Sequence, residues 1–475
     1  MKLGELFKGV PSNLCDIDIK AITNDSRKVA SGTLFFCISG TKQDGHDYAG
    51  TAAIAGAVAI VCERDMGLEN QVLVPDSREA YALAAAAWFG NPAGKMHLVG
   101  VTGTNGKTSV TYLLRKILIK CGHTVGLMGT VENLIADRSL SSKNTTPDAY
   151  ELHEMLNLMY NSGCDYVIME VSSHALHQKR VFGLHFDVAA FLNLTQDHLD
   201  YHGTMTHYMN CKKQLFSMCD TGVFNVDDDY AESMISGVLC KKVTFSAKND
   251  TADFIAKNIE LYADSVHFEL LGYGVIGRIR YSTPGHFSVY NAMTAAVSAL
   301  KLGIPLTDIC SAFKSMRGVK GRAEVVPTNT DYTVVVDYAH TPDGLYNICS
   351  TLNDIKKNRL ITLFGCGGDR DKTKRPLMAE MAAKLSDFVV VTSDNPRTEP
   401  PAQIIEDIMP GFAGYDIQKV VVENRREAIE YALSIAEKDD IVLLAGKGHE
   451  TYQILSNETI HFDEREIIED YFKAN

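Results

Sequence analysis

Positive charge, tryptophan and long apolar runs are all scarce in this sequence. Its 46 lysines and arginines face 59 aspartates and glutamates, giving a formal net charge of -13. That balance argues against a general nucleic-acid or membrane-surface binder and leaves room for local basic pockets. No apolar stretch is long enough to span a bilayer; the richest, Ala82 to Trp88, is short and mostly alanine. Met1-Lys2-Leu3-Gly4-Glu5 lacks the basic-then-apolar layout of a signal peptide. The 11 cysteines lie singly, with no C-x-x-C pair. They read as reduced thiols of a cytosolic protein, not as a disulfide framework or a zinc site. Internal repeats and low-complexity segments are also missing.

At 475 residues the chain is too long for one core and suggests about three domains. The most informative stretch is Val99-Gly100-Val101-Thr102-Gly103-Thr104-Asn105-Gly106-Lys107-Thr108-Ser109. An apolar run, Leu98–Val101, leads into it, and a helical pattern follows from Val110 to Ile119. In a strand–loop–helix of this kind, backbone N–H groups and the helix N-terminus face a polyphosphate. Lys107 adds a charge and the Thr108 hydroxyl can bind Mg²⁺. The spacing departs from the general P-loop, which wants glycine where this chain has Val101.

The segment up to Asn91-Pro92 mixes short strands and helices, with a helix expected over Ala49–Ala59 and a strand over Val58–Cys62. It reads either as an α/β module with solvated loops or as a ligand grip built on Ser26 and the Gly40–His46 loop. Asn91–Gly94 is a plausible hinge. From Met96 onwards, helices alternate with apolar strands at Leu98–Val101, Tyr166–Met169, Val188–Leu192 and Gly222–Val226. Such alternation predicts a mostly parallel sheet with helices on both faces, binding ligands at the carboxyl ends of its strands. Polar clusters follow directly: Glu170–His174, Asn193–Gly203 and Asn225–Asp228. Glu170 and His198 are candidate Mg²⁺ ligands, although imidazole is an unusual one. Lys212 and Lys213, on an expected helix Met205–Phe216, read from spacing alone as a solvated helix face.

A third segment repeats the layout after Gly321-Arg322-Ala323-Glu324. Strands Thr333–Val336, Leu360–Phe364, Phe388–Thr392 and Ile441–Leu444 each lead into a polar cluster. Gly365–Gly368 does not meet G-x-G-x-x-G, so a dinucleotide cofactor is not expected. Two sheets with polar edges suggest a cleft that closes on substrate. Arg370, Arg397 and Lys447 suit a carboxylate, and Asp394 and Glu450 an ammonium, a combination fitting a zwitterionic amino acid. A set of surface ion pairs is the alternative.

Taken together, these motifs resemble the Mur ligase family of peptidoglycan synthesis. The resemblance covers essentially the whole chain, through Asp25–Arg27, Thr102–Ser109, Asn144–Pro147, Met169–His174, Gln178, Arg180 and Asn193–Gly203. It continues through Asp337–Asp343, Phe364–Lys372, Asp394–Glu399, Ala445–Glu450 and Tyr452-Gln453. The family's loop, G-x-x-G-T-N-G-K-T, accommodates Gly100 and Gly103. The resemblance implies three α/β domains: a UDP-substrate module (1–93), a central P-loop ATPase domain (94–320) and a Rossmann-like C-terminal domain (321–475). It implies that ATP phosphorylates the D-glutamate carboxylate of UDP-N-acetylmuramoyl-L-alanyl-D-glutamate, and that an amine then displaces phosphate.

By position, Thr102, Gly103, Thr104, Asn105, Gly106, Lys107, Thr108, Asn291, Arg322, Asp337 and His340 would contact ATP. Thr108, Glu170, His198 and a carbamylated Lys212 would hold Mg²⁺. Asn24, Ser26, Thr41, Lys42 and Gln43 would grip the uridine end, and Asn144, Thr145, Thr146, Ser172, Gln178 and Arg180 the muramoyl-peptide end. The incoming amino acid would sit against Arg370, Asp394, Asn395, Pro396, Arg397, Gly446 and Glu450. Asp-Asn-Pro-Arg is the form associated with meso-diaminopimelate, whose second carboxylate Arg397 can pair; lysine-adding relatives lack the arginine. Pro400 replaces a common acidic residue beside that loop, and Ser288 and Ser246 also depart from the family pattern. Lysine as the added amino acid, and a P-loop ATPase or kinase without amide formation, stay open as alternatives. A monomer is expected, with small-molecule substrates and neither nucleic acid nor membrane as partner.

Overall fold

The apolar run at Leu98–Val101 becomes the middle of a parallel sheet, and the phosphate-type loop leaves its carboxyl end. The computed structural model describes residues 1–40, 43–316 and 318–474. It packs as two units, Met1–Phe254 with Thr294–Ile309 and Ile255–Met293 with Cys310–Asn475.

The first unit opens with strands β1 (Ala21–Thr23), β2 (Thr33–Phe36), β3 (Ala57–Cys62) and β4 (Gln71–Leu73), parallel and in sequence order. Phe7, Phe36 and Tyr81 fill one face of this sheet beneath the helix Ser77–Trp88, which Asp76 caps through the Arg78 and Glu79 N–H groups. The helix expected over Ala49–Ala59 stops at Ile54. Gly56, at φ 107°, turns the chain so that β3 begins one residue later. The expected hinge at Asn91–Gly94 is a short 3₁₀ helix, Pro92–Lys95.

The same unit holds β5 (His97–Thr102), β6 (Val125–Met128), β7 (Glu132–Ile135), β8 (Arg138–Ser141), β9 (Tyr166–Glu170), β10 (Phe186–Phe191), β11 (Cys219–Asn225) and β12 (Lys241–Ser246). Their order is β12-β11-β10-β5-β9-β6-β7-β8. It is parallel throughout except for the meander β6-β7-β8, which sequence periodicity did not reveal. Between β5 and β6 runs the helix Lys107–Lys120, whose buried positions Val110, Leu113, Leu114, Ile117 and Leu118 form one apolar stripe. It ends in a Schellman turn: Gly122 and His123 N–H groups donate to the Ile119 and Leu118 carbonyls, with Gly122 at φ 90°. The helix expected over Met205–Phe216 is α-helical to Lys213 and 3₁₀ from Gln214 to Ser217.

In the second unit, β13 (Phe254–Leu261), β14 (Val266–Gly272) and β15 (Val275–Tyr281) make an antiparallel ribbon. The remaining strands are β16 (Glu324–Val326), β17 (Thr333–Asp337), β18 (Leu360–Phe364), β19 (Phe388–Val391), β20 (Gln418–Val421) and β21 (Ile441–Ala445). They order as β16-β17-β21-β18-β19-β20, parallel apart from β16. Strand alternation explains why both faces are covered. Val335, Val389, Val391 and Leu443 join the core under helices Pro342–Ile355, Lys374–Leu385 and Pro401–Ile408. Val334, Val336, Val390 and Leu444 join the one under Arg425–Ser434 and Glu464–Ala474. The architecture is the expected α/β one, built on three largely parallel sheets. Among the described residues no helix is long and apolar enough to cross a membrane.

Candidate active site

Gly100, one place early for a general P-loop, is a strand residue with a packing role. A Cβ there would lie 3.1 Å from atoms of both Phe186 and Leu215. The loop proper begins at Thr102, whose Oγ1 donates to the Val171 carbonyl at 2.8 Å. It is propped by the cluster after β10. Thr104 N–H donates to the Asn193 carbonyl, Asn105 N–H to Asn193 Oδ1 at 2.9 Å, and Asn193 Nδ2 returns a bond to the Asn105 carbonyl. Gly106, at φ 87°, turns the loop into the helix beginning at Lys107. The Lys107 ammonium donates to the Gly103 and Thr104 carbonyls, 2.9 Å each.

Thr108 and Glu170 converge from the helix and the end of β9. Thr108 Oγ1 donates to Glu170 Oε1 at 2.9 Å, and the carboxylate, 1% exposed, also accepts from the Thr130 N–H and hydroxyl. Only glycine at 129 lets the carboxylate keep this position, because a Cβ there would crowd Glu170 Oε1. A hydroxyl and a fixed carboxylate beside a phosphate-type loop are hard oxygen donors suited to Mg²⁺.

Lys212 overturns its solvated-face reading. It is 1% exposed, donates to the Gly103 carbonyl at 2.8 Å and lies 4.5 Å over the Tyr208 ring. Burial, and after it the Lys107 charge, hold its amine well below the ordinary lysine range. Lys213, one residue on, donates to the Ser233 carbonyl and stays at the surface. His198, at φ 53°, caps the short helix Leu199–His202. Its ring lies 6.2 Å from that of Tyr208, whose hydroxyl is 3.2 Å from Thr104 Oγ1.

A second cluster joins the turn after β9 to the segment before the helix Ala149–Asn161. Thr146 Oγ1 donates to the Glu170 carbonyl at 2.8 Å and accepts from Ser172 N–H. Arg180 donates to the Thr146 carbonyl at 2.8 Å and through two nitrogens to Gln178 Oε1. Thr145 reaches the same place through Thr130, hydroxyl to hydroxyl at 3.1 Å, and Asn144 is exposed beside it. At the first sheet, Asn24 is exposed after β1, and Ser26 opens a turn capped by Asp25. Gln43 is exposed, its carbonyl accepting from Gly40 N–H. Thr41 and Lys42 lie outside the described residues.

The second unit gathers its candidates at the ends of β17, β18, β19 and β21. Asp337 accepts from the Ala323 and Ala339 N–H groups, at 2.7 and 2.8 Å. Arg322 stacks 4.9 Å over Tyr338, and His340 Nδ1 is 2.8 Å from the Tyr338 carbonyl. Asn291 is buried in the helix His286–Lys301. Gly446 N–H donates to the Asp337 carbonyl, linking this group to the next.

There, Asn395 accepts from Lys447 at 3.0 Å and donates to Glu450 at 2.9 Å. Among the described residues Asp394 Oδ2 is buried without a hydrogen-bond partner, and Arg425 lies 4.0 Å from it. Following Pro396, Arg397 sits at φ 53° and donates to the Gly368 carbonyl at 2.7 Å. Arg370 is exposed. Lys447, expected as a cation for substrate, is instead fully buried and pairs with Glu450 at 3.1 Å, an internal strut. Sequence reasoning missed Arg375, also fully buried, which grips Glu399 through two nitrogens at 2.9 and 3.0 Å and Asp407 at 2.7 Å. Only a cation placed before an Asp-Asn-Pro-Arg-Thr-Glu loop signals it, and helix-face arginines look alike in sequence.

Comparison with known proteins gives three matches along the chain. Residues 18–94 match the profile of the Mur ligase family catalytic domain, 101–299 the Mur ligase middle domain, and 321–448 the Mur ligase glutamate ligase domain. The UDP-N-acetylmuramoyl-L-alanyl-D-glutamate–2,6-diaminopimelate ligase of Caldanaerobacter subterraneus is 46% identical over 99% of this chain and 98% of its own. The ligase of the same name from Clostridium botulinum is 44% identical over 96% and 95%. A solved structure of a ligase of that name superposes with a TM-score of 0.77 at 32% identity, over 100% of this chain and 99% of that one. The MurF ligase of Thermotoga maritima in complex with ADP, at 18% identity and TM-score 0.58 over 97% of this chain and 98% of that one, shares the fold. The chain belongs to the Mur ligase family.

Proposed function

We propose that this chain joins meso-diaminopimelate to UDP-N-acetylmuramoyl-L-alanyl-D-glutamate at the expense of ATP, as a cytoplasmic step of peptidoglycan precursor synthesis. Full-length kinship with diaminopimelate ligases carries the reading. The arginine of Asp394-Asn395-Pro396-Arg397 supports diaminopimelate over lysine, because lysine would leave the guanidinium without its carboxylate.

In this reading a D-glutamate carboxylate oxygen attacks the γ-phosphorus, the bond to the β-phosphate oxygen breaks, and ADP leaves. The amine, having lost a proton, attacks the acyl carbon, and phosphate leaves with the carboxylate oxygen. The loop N–H groups from Thr104 to Thr108 hold the phosphates. Lys107 releases its loop carbonyls to neutralise the transferring group. Thr108 and Glu170 would hold one Mg²⁺, and His198 with a carbamylated Lys212 a second. When bound, the metal offsets phosphate charge.

Lys212 suits carbamylation because only a neutral amine attacks CO₂, and burial favours that form. Its nitrogen gains a bond to the CO₂ carbon and loses a proton, and the resulting carbamate carries its negative charge on the two oxygens. Asn291, Arg322, Asp337 and His340 serve the adenosine. Asn24, Ser26 and Gln43 serve the uridine, and Thr146, Ser172, Gln178 and Arg180 the muramoyl peptide. Asp394, with its unpartnered Oδ2, takes an ammonium of the incoming amino acid, and Arg397 its distal carboxylate.

The acyl phosphate is tested by ¹⁸O transfer. With ¹⁸O in the D-glutamate carboxylates, one labelled oxygen is expected in each phosphate released. Unlabelled phosphate would exclude this chemistry.

A further inference from the structure

One group of side chains near the loop has no place in the ligase reading. His202, His207 and Cys211 each offer one ligand atom, and these atoms lie within 4.8 Å of one another. The structure assigns them, we propose, as a site for a borderline-soft divalent cation of the Zn²⁺ class, separate from both Mg²⁺ positions of the ligase reading.

The hydrogen bonds around the three residues already have the pattern a metal ligand set requires. His207 and Cys211 are four residues apart on the helix Met205–Lys213, so one face carries both, with Nε2 and Sγ 3.6 Å apart. A tetrahedral Zn²⁺ with bonds of about 2.0–2.3 Å spaces its ligand atoms about 3.3–3.8 Å apart, so this edge is already formed. His207 Nδ1 lies 3.0 Å from the His202 carbonyl and donates to it, leaving the Nε2 lone pair facing the thiol. His202 is 5% exposed; its Nε2 meets the Ser173 hydroxyl at 2.9 Å, and among the described residues its buried Nδ1 finds no hydrogen-bond partner. Each imidazole is thus oriented through one nitrogen while the other is left for a ligand, the arrangement that holds metal-bound histidines in place. Cys211, 1% exposed, would bind as thiolate, losing its proton to solvent.

Two imidazoles and a sulfur select against Mg²⁺, which takes oxygen. They leave a fourth position for water or for His177, whose ring lies 5.0 Å from that of His207. The sequence hides the site because His202-x4-His207-x3-Cys211 is not a finger spacing: a turn at Gly203-Thr204 separates the first ligand from the helix bearing the others. Bound metal would pin that turn.

The test strips the full chain with chelator and titrates it with Co²⁺ in saturating Mg²⁺, which occupies the Thr108–Glu170 and His198–Lys212 positions. One equivalent is expected to bind with intense tetrahedral ligand-field bands and a thiolate-to-cobalt charge-transfer band. Zn²⁺ should displace it and raise the melting temperature. Cys211→Ala should abolish the charge-transfer band and weaken Zn²⁺ binding about a hundredfold. Cys240→Ala, which alters another thiol of the same unit, should keep both. X-ray absorption of the zinc-loaded wild type, expected to show one sulfur and at least two nitrogens, answers the question even if Cys211→Ala fails to fold. Absence of the charge-transfer band in wild type, its survival in Cys211→Ala, or a zinc shell of oxygen alone would each overturn the assignment. The readout is independent of ligase activity, so failure here leaves the functional reading untouched.

Discussion

Arg397 and Glu170 are the two side chains on which the account depends most at the scale of single residues. If Arg397 pairs with the distal carboxylate, a charge-assisted bond worth about 1.5–3 kcal/mol is lost on substitution. Arg397→Ala should then lower kcat/KM for diaminopimelate about tenfold to a few hundredfold and leave that for lysine nearly unchanged. An unchanged ratio between the two amino acids would remove Arg397 as selector. For Glu170 the sharper probe is its neighbour. Gly129→Ala drives a methyl into Oε1, so the carboxylate must swing off Thr108 and Thr130. Steady-state titration with Mg²⁺ should show a higher requirement and a lower kcat, with far-UV dichroism unaltered. Wild-type Mg²⁺ dependence would contradict a metal role for Glu170. Motif spacing put both in polar segments at or just after strand ends, where the structure has them. It could not show that Lys212 is buried or that Lys447 is a strut, because a lysine on a helix or loop reads the same whether it faces water or protein.

Helices and loops make a second set of predictions. The helix Ala149–Asn161 carries His153, 1% exposed, with both ring nitrogens lacking hydrogen-bond partners among the described residues. Burial lowers its pKa to about 4. The folded state keeps the ring neutral, whereas the unfolded chain protonates it near its ordinary value of about 6.5. Stability is therefore full above that pH and is lost as pH falls towards 4, at about 1.4 kcal/mol per pH unit from this group. His153→Phe should flatten urea-denaturation free energies across that window. Equal slopes in both proteins would show that His153 is not the acid-sensitive group. The loop Asp394–Glu399 is braced from behind by Arg375, through its fork on Glu399. Arg375→Met should raise KM for diaminopimelate more than it lowers kcat, because the loop bearing Arg397 loses its anchor. A pure kcat effect would contradict this. Parallel strands and their terminal clusters were legible because buried strands are continuous apolar runs. The meander β6-β7-β8 was not: Arg138–Ser141 is exposed throughout and carries no apolar period.

On the scale of the whole molecule, the arrangement is a division of labour along one chain. The P-loop, Glu170 and Lys212 belong to the first unit, and the Asp394–Arg397 loop to the second. That division was readable from the repeated pattern of strand followed by polar cluster. What distinguishes a ligase from an ATPase or kinase built on the same loop is that phosphate release must wait for the amine. The most direct measurement is phosphate release with ATP and UDP-N-acetylmuramoyl-L-alanyl-D-glutamate, with and without meso-diaminopimelate, alongside mass spectrometry of the nucleotide-linked product. Sustained release only when the amino acid is present, with one tripeptide product formed per phosphate, is the predicted result. Comparable sustained release without any amine, or release with no tripeptide formed, would contradict the account.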